Sequence, residues 1–238
     1  MMFNAQAIVR KSINNATSQF DKLGYVANDL ANYNTYGYKS IRFEQMLRED
    51  GYVAGATRTD GAQGAVRVTG NPYDVAIEGA GYIPVTSEDG EVQYTRDGSF
   101  VKGKDGYLFT KDGWMVGAGI KLPANCYKFQ IKPNGDVYTF DEAGSLPTRV
   151  GTIPLVAFPN PERLEHGVNN KMKVTDDSGD PELISEHRNF KQNCIETSNV
   201  NIYASVNEML RLNASMIASM RLIKVADDMY NKGINIRE

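Results

Sequence analysis

Both ends of the chain carry an apolar repeat whose steps alternate between four and three residues. Near the N-terminus the repeat runs through Val9, Ile13, Ala16, Phe20, Leu23, Ala27 and Leu30. Near the C-terminus it runs through Ile202, Val206, Met209, Asn213, Met216, Met220 and Ile223. Heptad spacing of this kind lines one side of an α-helix with a seam that must be covered by another helix. The pattern predicts a helix over about residues 3–33, with Gly24 tolerated at about 1 kcal/mol, ended where Asn34, Thr35 and Gly37 interrupt it. It predicts a second helix capped by Ser198 or Asn199 and ending near Gly233. A helix of about 30 residues is roughly 45 Å long, too long to bury its seam on a compact domain of similar width. The expected partners are therefore the other terminal helix and further copies of the chain, with the polar Asn213 setting register within the seam.

Between the seams the period changes to two. Tyr73–Ile77, Glu91–Thr95, Lys128–Ile131 and Asp136–Phe140 alternate or concentrate β-formers. They are punctuated by Asp89-Gly90, Asp97-Gly98, Asp105-Gly106, Asp112-Gly113 and Asn134-Gly135, each read as a short hairpin turn because both residues tolerate positive φ. The expected fold class is α+β: long N- and C-terminal helices forming a coiled-coil-like helical domain, with an antiparallel, mostly β middle domain. The expected boundaries are 1–36 and 197–238 for the helices and 67–196 for the β domain. Residues 37–66, rich in Gly and polar residues, are expected to be an adaptable connecting segment.

Composition removes several function classes. With 26 Lys and Arg against 29 Asp and Glu, the net charge of −3 offers no basic field to collect a phosphate backbone. No stretch approaches the roughly 20 apolar residues of a membrane span, and the start lacks the pattern of a cleaved signal peptide. Cys126 and Cys194 are too far apart and too few for a disulfide scaffold or a cysteine-built zinc site.

Nothing in the chain reads as catalytic. His166 and His187 lack acidic neighbours at metal-ligand spacing, and no Gly-x-Ser-x-Gly elbow occurs. Gly79-Ala80-Gly81 and Gly117-Ala118-Gly119 do not open helices as phosphate loops do, and Asp176–Asp180 lacks the far glutamate of a calcium loop. Trp114 and Cys126 read as core residues. No catalytic residue, cofactor or metal is expected.

Four segments carry a family resemblance. The stretch 27–39, with Asn28, Leu30, Ala31, Asn32, Asn34, Thr35, Gly37, Tyr38 and Lys39, resembles the N-terminal signature of the bacterial flagellar rod and hook axial proteins. Residues 70–82, with Asn71, Pro72 and Asp74, and residues 94–100, with Thr95, Arg96, Asp97 and Gly98, resemble hallmark segments of the family's middle domain. Glu196-Thr197 followed by Ser198, Asn199, Val200 and Asn201 resembles the approach to its C-terminal helix. Asp29 stands where the family usually has Asn. In the C-terminal helix Asn213–Met220 replaces the family's Gln-Arg-Ala-Tyr-like run, and only a short link separates Gly37 from Gly70.

The resemblance implies a non-enzymatic basal-body rod subunit. It would polymerise helically into the drive shaft that transmits torque from motor to hook, and would be exported by the flagellar type III pathway. Implied partners are the chain itself, other rod and hook proteins, and the peptidoglycan and outer-membrane ring bushing, with no nucleic acid and no membrane insertion. The wording of the middle segments is most similar to the distal rod type. The alternatives are a proximal rod subunit, a hook-type axial protein, or a carbohydrate-binding or hydrolytic β domain with helical arms.

Overall fold

Residues 5–124, 126–142, 146–185 and 188–235 are described by a computed structural model of the chain; His187 lies outside them. Two long helices, α1 (Ala5–Ala31) and α2 (Ile202–Asn235), flank a region built of strands. The chain divides into two compact units. Unit 1 holds α1, residues 41–58 and α2; unit 2 holds residues 32–40 and 59–200.

In unit 1, α1 and α2 pack on each other. They run antiparallel, since Gln19 donates to Ser215 Oγ at 2.9 Å while Lys22, one turn further along α1, pairs with Glu208, nearly two turns back along α2. On α1 one run of buried or half-buried positions is Val9, Ser12, Ala16, Gln19, Leu23, Val26 and Leu30. On α2 the corresponding run is Ser205, Met209, Leu212, Met216, Ser219, Ile223 and Ala226. Both are heptad runs, but small and polar residues such as Ser12, Ala16, Gln19, Ser205 and Ser219 interrupt the large apolar ones, which lets two backbones approach closely. Buried polar residues of the pair include Gln19 and Ser219, whereas Asn213 is exposed. Asn201 rather than Ser198 or Asn199 caps α2, its Oδ1 accepting from Ala204 N at 3.1 Å. The helix also runs past Gly233.

The connecting segment holds a second element of unit 1. Strands β1 (Ile41–Leu47) and β2 (Val53–Thr59) form a two-stranded sheet, so residues expected to act as a joint are a hairpin. It lies on α1. Asn14 both donates to Val53 O and accepts from Val53 N, Gln45 donates to Ser18 Oγ, Tyr25 stacks on Phe43, and the Asp29 carboxylate accepts from Ile41 N. Charged Arg42 and Glu44 in β1 and Gly55 in β2 obscure these strands, and a two-stranded sheet of this kind is held by its packing on α1.

Unit 2 begins with β3 (Val66–Val68), β4 (Val75–Ile77), β5 (Ile83–Thr86), β6 (Val92–Thr95), β7 (Phe100–Lys102), β8 (Leu108–Thr110) and β9 (Met115–Val116). It continues through β10 (Lys128–Ile131), β11 (Asp136–Phe140), β12 (Thr148–Thr152), β13 (Val156–Ala157), β14 (Glu165–His166), β15 (Met172–Lys173) and β16 (Glu182–Leu183). It closes with β17 (Phe190–Gln192) and β18 (Cys194–Glu196). The largest sheet has the order β14-β15-β6-β5-β9-β8-β7 and a smaller one β10-β11-β12. The last strands return to the first: β17 pairs antiparallel with β4, and β18 with β3. Val75, Ile83, Phe100, Leu108, Val137, Ile153 and Phe190 are among the buried residues of the main core cluster. Cys126 packs against this cluster while half-buried, and Trp114 is also only half-buried.

The turn glycines divide in an instructive way. Gly90, Gly106, Gly113 and Gly135 all have positive φ and join strands that pair with each other. Asp97-Gly98 does not form a hairpin: Gly98 is not among the positive-φ residues, and β6 and β7 are not sheet neighbours. Gly98 is required for a different reason, because a Cβ there would sit 1.7 Å from Val75 O.

Candidate assembly surfaces and a buried ionic centre

The signature segments converge inside unit 2 on one ionic cluster. Glu196, fully buried, accepts through Oε1 from Lys39 Nζ at 2.7 Å and from Gly64 N at 2.9 Å. Its Oε2 accepts from Arg96 Nε at 2.8 Å. Arg96 also donates to Gly81 O at 2.7 Å and Gly79 O at 2.9 Å, and Lys39 to Ala62 O at 2.7 Å. Two cations thus share one carboxylate, with the surplus charge spread over backbone carbonyls. This is the arrangement that makes a buried ion tolerable. Burial is the largest influence on Lys39 and pushes its pKa below the ordinary lysine range; the Arg96 charge acts the same way and Glu196 opposes both.

Around this cluster several signature residues have local tasks. Asn199 accepts from Ser40 N at 2.8 Å and donates to Asp60 O and Ala62 O, so one side chain ties three segments of unit 2. Asn71 and Thr69 hold the Asp74 carboxylate, forming the turn that leads into β4. Thr95 Oγ1 accepts from Asp97 N, and Asp97 Oδ1 from Ser99 N. Thr35 donates to Asn32 Oδ1 as the chain leaves α1. Gly37 N donates to Glu196 O at 2.9 Å. A Cβ on Gly37, where φ is +65°, would meet the Arg96 carbonyl carbon at 2.4 Å. Gly37→Ala therefore combines left-handed strain with a backbone clash, and is expected to remove about 2 kcal/mol or more of unit 2 stability in urea melts. An unchanged midpoint would refute that reading. Asn28, Ala31, Asn34, Pro72 and Asn201 are exposed, and Leu30, Ser198 and Val200 half-buried.

His166 sits beside this region with its ring 5.5 Å from that of Tyr38 and its buried Nε2 without a hydrogen-bond partner. Burial lowers its pKa. The unfolded chain then binds the proton first, at about pH 6.5, so stability falls as pH drops below that value. Urea midpoints compared at about pH 7.5 and 5.5 should drop in the wild type and drop less in His166→Gln. Equal drops would exclude His166 as the source. Asp97, whose pKa burial raises, contributes alike to both proteins.

The sequence-predicted seam residues fall into two groups. Val9, Ala16, Leu23, Leu30, Met209, Met216 and Ile223 are buried or half-buried, in the heptad runs of α1 and α2. Ile13, Phe20, Ala27, Ile202, Val206, Asn213 and Met220 are exposed. Ile8 joins them on α1, and Leu210, Ile217, Leu222, Val225 and Met229 on α2, with Leu210 62% exposed. Apolar side chains thus surround α2 although one neighbouring helix can cover only one side, the pattern of a helix that is covered all round. Among the described residues no His, Cys, Asp or Glu cluster could hold a metal, and no helix is long and apolar enough to cross a membrane.

The pairing of buried signature residues with a partly uncovered helical unit can be set against known proteins. The model of the family described as flagellar hook protein FlgE/F/G D1 domain matches residues 76–139, the part that supplies Gly79, Gly81 and Arg96. A flagellar basal-body rod protein FlgF of Mesorhizobium japonicum is 31% identical over 80% of each chain. The chain belongs to the flagellar basal-body rod protein family. Relatives named flagellar basal-body rod protein FlgG include that of Buchnera aphidicola subsp. Baizongia pistaciae, 29% identical over 88% of this chain and 92% of its own. The Bacillus subtilis FlgG is 28% identical over 91% and 93%. As a family member the chain is a structural rod subunit.

Sequence reading missed two parts of this site. By sequence, Glu196 reads only as part of the approach to α2, and Lys39 and Arg96 only as signature residues. A charged residue inside each of three signature segments was the available signal. The β1–β2 hairpin left none beyond its alternating Phe43, Gln45 and Leu47.

Proposed function

We propose that the chain is a rod subunit of the distal, FlgG-like type that polymerises helically through the exposed apolar faces of α1 and α2. The observation that carries this reading is the ring of uncovered apolar side chains on α2, which a single α1 leaves in water. Each such side chain buried between copies contributes roughly 1.5–3 kcal/mol before ordering losses. Repeated along two helices, the contacts form a coiled-coil-like inner layer stiff enough to carry torque from motor to hook. The several FlgG relatives with coverage near nine-tenths of both chains favour the distal over the proximal type. In this reading the chain reaches the rod by flagellar type III export and meets other rod and hook proteins and the ring bushing there. Sedimentation over a range of concentrations tests the polymer: growth from monomer to large species is expected, and a monomer at every concentration would sink the proposal.

A further inference from the structure

The last strands of unit 2 supply what its first half lacks. Segment 190–196 gives backbone partners to β4 and β3, and its Gln192 side chain accepts from Ile131 N at 3.0 Å. Phe190 and Ile195 are buried to within 2% of complete. Glu196 is the only carboxylate bonded to Lys39 and Arg96 among the described hydrogen bonds. With this segment undocked, unit 2 would hold two adjacent cations without the carboxylate bonded to both, and β3 and β4 without their ladder partners. Each of these is disfavoured in a dry interior. The chemistry is distributed along the whole unit, since Lys39 and Glu196 lie 157 residues apart in sequence.

We propose that Phe190–Glu196 is a latch that makes closure of unit 2 all-or-none. A chain synthesised or delivered N-terminus first cannot close unit 2 until residue 196 has arrived, so it stays open and threadable for most of its length. No locally stable subset, such as the β5–β6 hairpin with the β7–β9 strands, forms ahead of the latch.

Native-state hydrogen exchange on the full chain, at several sub-denaturing guanidinium concentrations, separates this from ordinary strand docking. The latch requires the amides of β17 and β18 to exchange through the same opening as those of β5 and β6, with matching rates and denaturant dependence. In Glu196→Gln both sets should accelerate together, by roughly 100-fold or more. The proposal is overturned if β17 and β18 open separately while β5 and β6 stay protected. It is equally overturned if the substitution accelerates only amides near 37–40, 62–64 and 194–199. Should Glu196→Gln fail to fold, the wild-type comparison decides by itself.

Discussion

Replacing Glu196 with glutamine is expected to remove about 3–5 kcal/mol from the stability of unit 2, because it leaves two buried cations without their shared carboxylate. The side chain keeps its shape and can still accept from Gly64 N, so the loss reports charge rather than packing. Neither cation can reach water without dismantling the bonds to Gly79, Gly81 and Ala62 that hold it. Urea unfolding measures the loss as a lower midpoint at unchanged slope. Adding Lys39→Met to Glu196→Gln should recover part of it by removing one uncompensated charge. A loss below about 1 kcal/mol, in the range of an exposed pair, would mean that the carboxylate does not hold the cluster.

The second large effect concerns assembly. Leu210→Glu, Ile217→Glu and Leu222→Glu together should leave the monomer nearly unchanged, since all three side chains are more than half exposed and surface changes stay within about 0.5 kcal/mol each. In the polymer the same positions would lose roughly 1.5–3 kcal/mol of burial apiece and gain charges in an apolar seam. The concentration needed for growth should therefore rise by about three orders of magnitude or more. Circular dichroism checks the monomer, and sedimentation checks the assembly. Polymers forming at the wild-type concentration would show that these uncovered positions of α2 are not an interface.

Local rules carried much of the fold. Gly90, Gly106, Gly113 and Gly135 turn where a two-residue signal puts them, because the φ requirement lies within the turn itself. Asp97-Gly98 carries the same letters, yet its glycine answers to Val75, twenty-odd residues away, which no local rule registers. The helical seams were legible in period and displaced in alternate positions. Weighting by hydrophobicity selects Phe20 and Met220, whereas close helix packing buries their neighbours Gln19 and Ser219. Large apolar residues left outside the pair are the trace of a second surface. The ionic centre was illegible as a unit because its three charges come from segments near residues 39, 96 and 196, and only the folded sheet brings them together.

Helical reconstruction by electron microscopy of polymers grown from the purified chain would locate the contacts between copies. An inner layer of paired α1 and α2 helices is expected, with Phe20, Leu210 and Ile217 buried between neighbouring copies. Polymers in which those side chains face solvent, with copies joined through unit 2 alone, would contradict it.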